Sequence, residues 1–159
     1  MAEVMLFIDG SVNTKTNIGY GAYLAVFDHD LSLDSLRKHV KVRQFDHTSS
    51  TKLELQTLLW AISDIQALAI RVTVCTDSQN ILGLQGRRER LEQNDYRSKK
   101  NKRLNNYELY QEFYKMTDHL EIEFIKVPGH LGSNQKDDVN RLFTLVDRAS
   151  RNALREYNR

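Results

Sequence analysis

The chain has few of the features that mark secreted or membrane proteins. It contains one cysteine, Cys75, among 159 residues, so no internal disulfide can form. No apolar run approaches the roughly 20 residues that a bilayer span requires. Residues 1–4 lead directly into an apolar stretch, without the charged region and apolar core of a signal peptide. We therefore expect a cytoplasmic protein with no membrane partner.

Proline and glycine are also scarce, with one proline, Pro128, and seven glycines. No proline-rich, glycine-rich or low-complexity stretch divides the chain into parts. A chain of 159 residues with 40% hydrophobic content can build one core, which would bury about 70% of the surface of the unfolded chain. We therefore expect a single domain over residues 1–159.

The net charge is only +2, but the basic residues are clustered. Between Gly86 and Arg103 the chain carries eight lysines and arginines and three acidic residues, which gives +5 there and −3 elsewhere. Such clustering is the electrostatic footprint of a surface that binds a polyanion. A solvated charged surface is the alternative. We call residues 86–104 the basic protrusion.

Two predicted strands end in aspartate. Asp9 follows the apolar residues 4–8, and Asp77 follows the alternating residues 72–76, directly before a helix that begins near Ser78. Ligand sites in open α/β sheets lie outside the carboxyl ends of the strands. Each aspartate also has a local alternative: a turn before Gly10 for Asp9, and a helix cap at residues 77–78.

Two further acids border the apolar faces of predicted helices. Glu54 lies at the edge of the stripe of a helix from about residue 51 to 69, and Asp147 borders the stripe of a helix from about 136 to 157. The alternative for Glu54 is a capping box with Thr51. The alternative for Asp147 is a surface ion pair with Arg151.

The order of the predicted elements links these acids. Strands are expected near 4–9, 20–27 and 39–45, then the helix from 51, a strand at 71–76 and a short helix from 78. A helix at about 105–119, a strand at 120–127 and the final helix follow.

With this order, the chain resembles the type 1 ribonuclease H family over nearly its whole length. No single motif is specific for this family, but four acids in this order on this pattern of elements are strongly so. The segments that carry the resemblance are Ile8-Asp9-Gly10-Ser11, Gly19-Tyr20-Gly21-Ala22, residues 48–55, Thr76-Asp77-Ser78-Gln79, Gly129-His130 and residues 147–151.

The resemblance implies a ribonuclease H-like α/β fold, with a five-stranded mixed sheet flanked by helices. The first three strands would be antiparallel, and the last two parallel to the first. It also implies an endonuclease that hydrolyses the RNA strand of RNA/DNA hybrids and leaves 5′-phosphate and 3′-hydroxyl ends.

The same resemblance implies two Mg²⁺ ions, with Mn²⁺ as a substitute, held by Asp9, Glu54, Asp77 and Asp147. Physical chemistry agrees, because clustered carboxylates stay ionised at neutral pH only if their charge is cancelled, and Mg²⁺ prefers hard oxygen ligands. These four acids and His130, which would assist proton transfer and product release, form the predicted catalytic set. A polar loop residue without function is the alternative for His130.

The family likeness also implies contacts with the hybrid. Gln79 would read a ribose 2′-hydroxyl, because an amide can both donate to and accept from it. Ser49 and Thr51 resemble the family's contacts to a DNA phosphate and to bases beside the active site, and helix capping is the alternative for both. The expected substrate-binding residues are Gly10, Ser11, Ser49, Thr51, Gln79, Lys99, Lys100, Lys102, Arg103 and Asn106.

Two departures from the family pattern affect these expectations. The gap from His130 to Asp147 is longer than usual by about two helical turns. A final helix that begins early, near Asp137, keeps Asp147 as the fourth acid, and Asp138 is the alternative. Residues 12–18 lack the Gly/Pro-rich turn of many relatives, which leaves RNA contacts from that loop open.

Two other functions remain open. One is a different two-metal nuclease of the same fold, such as a resolvase or exonuclease, and the other is a non-catalytic module that binds hybrids. The Asp77-Ser78-Gln79 motif and the tyrosine-containing protrusion region favour the ribonuclease. A monomer with the hybrid as its partner is expected.

Overall fold

A computed structural model describes residues 3–27, 32–67, 71–127 and 138–159. These ranges contain five strands and five helices, in the order β1 (Glu3–Asn13), β2 (Ile18–Val26), α1 (Leu33–Arg37), β3 (Lys41–Phe45), α2 (Ser50–Ile65), β4 (Arg71–Thr76), α3 (Gln79–Gln93), α4 (Tyr107–His119), β5 (Glu121–Lys126) and α5 (Asp138–Tyr157).

The five strands form one mixed sheet in the order β3-β2-β1-β4-β5. Strands β1, β2 and β3 pair antiparallel, while β4 pairs parallel with β1, and β5 pairs parallel with β4. The predicted fold class and strand directions are therefore confirmed.

Alternation along the strands sends side chains to two separate cores. Leu6 and Ile8 of β1 pack on the side of α2, α3 and α4, while Phe7 packs on the side of α5. Cys75 is buried in the second core, together with Val146 of α5. The sheet is therefore covered on both faces, and a side chain's parity along its strand decides which helix it meets.

Glycines allow α2 to lie close to the sheet. Gly10 of β1 pairs with Gly21 of β2. A Cβ atom at Gly10 would lie 2.9 Å from Leu53 Cδ2, and one at Gly21 would collide with the Thr57 hydroxyl. Since these strand positions have no side chain, the first turns of α2 pack directly on β1 and β2. This contact positions Glu54, which follows Leu53.

The predicted end of β1 was wrong. The strand does not stop at Asp9 but continues to Asn13, because Asp9, Gly10 and Ser11 remain paired with residues 22, 21 and 20 of β2. The alternative of a turn aspartate at residue 9 is excluded by this pairing.

The helices depart from the predictions in three places. Helix α3 runs for 15 residues to Gln93 and is not short, so the first part of the basic protrusion is helical. The five-residue helix α1 was not predicted. Helix α2 is capped by Ser49, whose hydroxyl accepts a hydrogen bond from the Lys52 amide, so the capping box with Thr51 as its cap does not form.

Candidate active site

Asp9 of β1 and Asp77, which directly follows the neighbouring strand β4, lie at matching positions along the sheet. The last parallel pair of β1 and β4 is Phe7 with Cys75, and each aspartate follows two residues later. By strand parity, Asp9 projects toward the α5 face, like Phe7, whereas Asp77 lies directly after the end of β4. Asp9 is half-buried because β1 continues beside β2, whereas Asp77 is exposed because β4 ends at Thr76.

Glu54 reaches the same place from α2. Its carboxylate accepts a hydrogen bond from Ser78 Oγ over 2.6 Å, across the junction between α2 and the start of α3. One small cavity is lined by Asp9, Glu54 and Asp77, with Thr76 and Ser78 beside them. The structure therefore brings three of the four predicted acids to a single cavity.

Asp147 joins this group from α5. Its carboxyl hydrogen-bonds with Asp9, and it also pairs with Arg151 Nε at 2.9 Å. The Asp147 side chain is 26% exposed, whereas that of the alternative acid, Asp138, is 95% exposed and lies 3.9 Å from Arg141. Helix α5 therefore directs Asp147, and not Asp138, toward the other acids.

Burial and neighbouring acids raise the pKa of two of these side chains, Asp9 and Glu54. Burial, the hydrogen bond with Asp147 and the charge of Asp77 raise the pKa of Asp9 to about 8. Burial also raises the pKa of Glu54, although the Ser78 hydrogen bond acts in the opposite direction. Without a cation, Asp9 therefore retains a proton near neutral pH. We refer to Asp9, Glu54, Asp77 and Asp147 as the acid cluster.

The acid cluster fits a hard divalent cation by ligand type, but it is not arranged around one. Among the residues that the structure describes, no three His, Cys, Asp or Glu side chains are placed to hold a metal ion. Glu54 accepts a hydrogen bond from Ser78, and Asp9 is hydrogen-bonded to Asp147. The carboxylates are oxygen ligands of the kind that Mg²⁺ prefers. Binding of a cation would have to replace the Asp9–Asp147 contact.

The sequence model of the RNase H family matches residues 1–153. The chain belongs to the RNase H family. Its predicted enzyme class, ribonuclease H, is confirmed at the level of the family. No curated protein sequence matches the chain.

A solved structure of this fold comes from a foamy viral protease-reverse transcriptase in complex with dsDNA. The two chains superpose with a TM-score of 0.62 and share 11% sequence identity, over 94% of this chain and 93% of that one. At this identity the similarity supports the fold alone. No helix within the described ranges of this RNase H family member is long and apolar enough to cross a membrane.

The predicted contacts near the acid cluster lie on different sides of it. Gln79 is exposed at the first position of α3, two residues after Asp77. Ser49 caps α2, so the capping alternative holds for Ser49, and Thr51 lies in the first turn. Ser11 faces α5, with its Oγ 3.2 Å from Ser150 Oγ. Gly10 faces α2 instead, and His130 lies outside the described residues.

The basic protrusion is not brought to the acid cluster. Its first residues form the second half of α3, and its lysines lie beyond the end of this helix, whose 15 residues span roughly 22 Å. Beyond α3, a tight loop is closed by a bridge between Arg97 and Arg103. Asn106 begins α4 without a side-chain hydrogen bond to that helix.

The basic side chains of the protrusion differ in whether a carboxylate lies beside them. Arg103 pairs with Asp95 at 3.1 Å and lies over the Tyr107 ring, and Arg88 makes two hydrogen bonds to Asp118 of α4. In contrast, Lys99, Lys100 and Lys102 are exposed, and no carboxylate in the described part of the chain lies within 4 Å of them. Arg88 and Arg103 are therefore structural ties, while the three lysines face solvent.

Ser78 is the site residue that the sequence analysis missed. It was interpreted as a helix cap, and it does cap α3 by accepting from the Ile81 amide at 3.1 Å. Its hydroxyl, however, also donates a hydrogen bond to Glu54, which lies 24 residues earlier in the chain. The serine after Asp77 was the available signal, but its partner depends on how α2 packs.

Proposed function

We propose that this protein is an endonuclease that hydrolyses the RNA strand of RNA/DNA hybrids with two divalent metal ions, leaving 5′-phosphate and 3′-hydroxyl ends. The observation that carries the proposal is the convergence of the acid cluster: three carboxylates line one cavity, and the fourth is hydrogen-bonded to the first. The family match over residues 1–153 supports it, as it supports a single domain.

The four acids would hold the metal ions. Two bound Mg²⁺ ions supply a water activated for attack and stabilisation of the leaving 3′-oxygen in an in-line displacement. Asp9 would release its proton as the cluster is neutralised, which frees the Asp147 carboxylate. Glu54 is already held in place by Ser78. Mn²⁺ would substitute because the ligands are all oxygens.

Substrate choice would depend on residues beside the cluster. Gln79 is exposed at the start of α3, where its amide can both donate to and accept from a ribose 2′-hydroxyl. Ser49 and Thr51, at the amino-terminal end of α2, would meet a phosphate of the DNA strand, since helix amino termini favour anions. Gly10, Ser11 and His130 complete the proposed site.

The basic protrusion would hold the hybrid at a distance from the cleaved bond. Lys99, Lys100 and Lys102 are exposed and suited to phosphate contacts, which position a duplex without reading its sequence. The exposed Arg103 would contribute less, because Asp95 already compensates its charge. Asn106 lies next to this surface, at the start of α4.

The test compares four end-labelled substrates in Mg²⁺: RNA/DNA hybrid, double-stranded RNA, single-stranded RNA and double-stranded DNA. We expect internal cleavage of the hybrid's RNA strand alone, with products that a ligase can join without phosphatase or kinase treatment. Asp77→Asn protein, purified identically, controls for contaminating nucleases. Cleavage of double-stranded DNA, or stepwise shortening from an end, would favour the resolvase or exonuclease alternative. Hybrid binding without cleavage would favour the non-catalytic module.

A further inference from the structure

We propose that Ser78 is a positioning residue that fixes Glu54 relative to Asp77 and thereby sets the metal affinity of the acid cluster. This inference rests on the proposed function, because it takes Glu54 and Asp77 as metal ligands. It adds a role for a side chain that is itself neither an acid nor a substrate contact.

The hydrogen bonds of Ser78 determine where its proton points. Ser78 Oγ accepts from the Ile81 amide at 3.1 Å and donates to Glu54 Oε2 at 2.6 Å, while the Ser78 amide donates to Thr76 Oγ1 at 3.1 Å. The residue is 3% exposed. A hydroxyl has one proton, and with the Ile81 amide on its oxygen that proton is committed to Glu54.

The hydrogen bond between Ser78 and Glu54 links two parts of the fold that each carry an acid of the cluster. Glu54 belongs to α2, whereas Ser78 directly follows Asp77 at the junction of β4 and α3. Two ionised carboxylates at one cavity repel each other, so Glu54 would move away from Asp77 unless another group holds it. A charge-assisted hydrogen bond of this length is among the stronger ones in proteins. Ser78 therefore keeps Glu54 near Asp77 before any cation binds.

The variants must separate this role from helix capping. Glycine is also accepted at helix amino caps, so Ser78→Gly removes the hydroxyl with little loss of capping. Ser78→Thr keeps both the donor and the cap. Ser32→Gly is the matched capping control, because Ser32 caps α1 by the same bond, from the Ser35 amide at 3.2 Å, in an exposed position.

The first measurement is metal binding without substrate, by calorimetric titration of the metal-free protein with Mn²⁺. Loss of a partner that orients a metal ligand typically weakens affinity about 10- to 100-fold. We expect a loss of this size for Ser78→Gly, near wild-type affinity for Ser78→Thr, and no change for Ser32→Gly. Hybrid cleavage by Ser78→Gly should need correspondingly more Mg²⁺, with kcat largely restored at saturation and KM for the hybrid unchanged.

A double-mutant cycle tests whether Ser78 acts through Glu54. In a Glu54→Gln background, Ser78→Gly should weaken Mn²⁺ binding no further. Additive losses, or wild-type affinity in folded Ser78→Gly, would overturn the inference. If Ser78→Gly melts below the assay temperature, Ser78→Cys replaces it, since a thiol is close in size but a weak donor. Failure of the proposed function looks different: Glu54→Gln and Asp77→Asn would then bind Mn²⁺ like the wild type.

Discussion

Two charged regions, the acid cluster and the basic protrusion, lie at the two ends of α3. They differ in how closely their charged groups are placed and in how far they are exposed to solvent. At the beginning of α3, the acid cluster brings acidic side chains together, and each carboxyl group that is bound has a close partner: Asp9 with Asp147, and Glu54 with Ser78. Beyond the end of α3, the lysines of the basic protrusion are spread over an exposed loop, while Arg103 is paired with Asp95, and Arg88, within α3, is paired with Asp118.

This difference suggests separate roles: the acid cluster for catalysis and the basic protrusion for substrate binding. Charges that are close together and partly buried interact strongly, because little water or salt lies between them. Exposed charges are screened within about 8 to 10 Å at ordinary ionic strength. We therefore expect changes in the acid cluster to alter the rate and the metal requirement, and changes in the protrusion to alter affinity in a salt-dependent way.

The largest effect should follow Asp77→Asn. The substitution keeps the shape of the side chain and removes one negative charge from the proposed metal site, so single-turnover cleavage in Mg²⁺ should fall on the order of 10³-fold or more. Hybrid binding should persist or tighten, because repulsion of phosphate decreases. Filter binding and cleavage are measured on the same protein, and near wild-type cleavage would exclude Asp77 from the site.

The second effect separates two acids of α5. Asp147→Asn should lower cleavage on the order of 10²-fold or more, because this carboxyl contacts Asp9. Asp138→Asn should change it less than about 2-fold, since that side chain is 95% exposed. Single-turnover rates at several Mg²⁺ concentrations provide the comparison. Equal losses would mean that Asp138 also serves the site.

The sequence predicted the sheet well because its signals are local. Alternating and apolar runs of strand length located all five strands, and the strand directions followed from the family likeness. The acids were found for the same reason, since Asp9 and Asp77 follow apolar runs. The end of β1 was missed because pairing with β2 through Gly10 and Ser11 is a long-range property.

The remaining errors also concern partners that are distant in sequence. Helix α3 was predicted to be short, yet it continues past Gly83 and Gly86 to Gln93. Arg88 in its second half bonds to Asp118 of α4, which is 30 residues away. Likewise, the pairing of Arg103 with Asp95 distinguishes this arginine from the neighbouring lysines. Composition gave the sum of charges but not which of them are already paired.

A smaller effect should appear in the stability of the metal-free protein. The pKa of Asp9 is raised from 3.8 to about 8 in the folded state, so between these values the folded state binds more protons than the unfolded state. Stability therefore decreases as pH rises through this window. Melting temperatures in EDTA should show an Asp9 contribution of several degrees between pH 5 and pH 8.

The control for this effect is Asp9→Asn, which cannot ionise. Its melting temperature should change less between pH 5 and pH 8 than that of the wild type, because the contribution of Asp9 is absent. Saturating Mg²⁺ should stabilise the wild type more at pH 8 than at pH 5, since protons compete with the cation for the carboxylates. A parallel pH dependence in wild type and variant would contradict the assigned pKa.

The smallest effect on catalysis should come from the basic protrusion. Replacing Lys99, Lys100 and Lys102 with Gln should weaken hybrid binding at low salt and make the log–log salt dependence shallower by about one to three units, at roughly 0.9 per phosphate contact on duplex DNA. Turnover at saturating hybrid should change little, since these lysines lie beyond the far end of α3. As a matched control, Arg37, Lys38 and Lys41 are changed to Gln, which removes the same charge from another exposed surface. If both triple variants lower the slope equally, general attraction explains the effect, and the lysines do not contact phosphate.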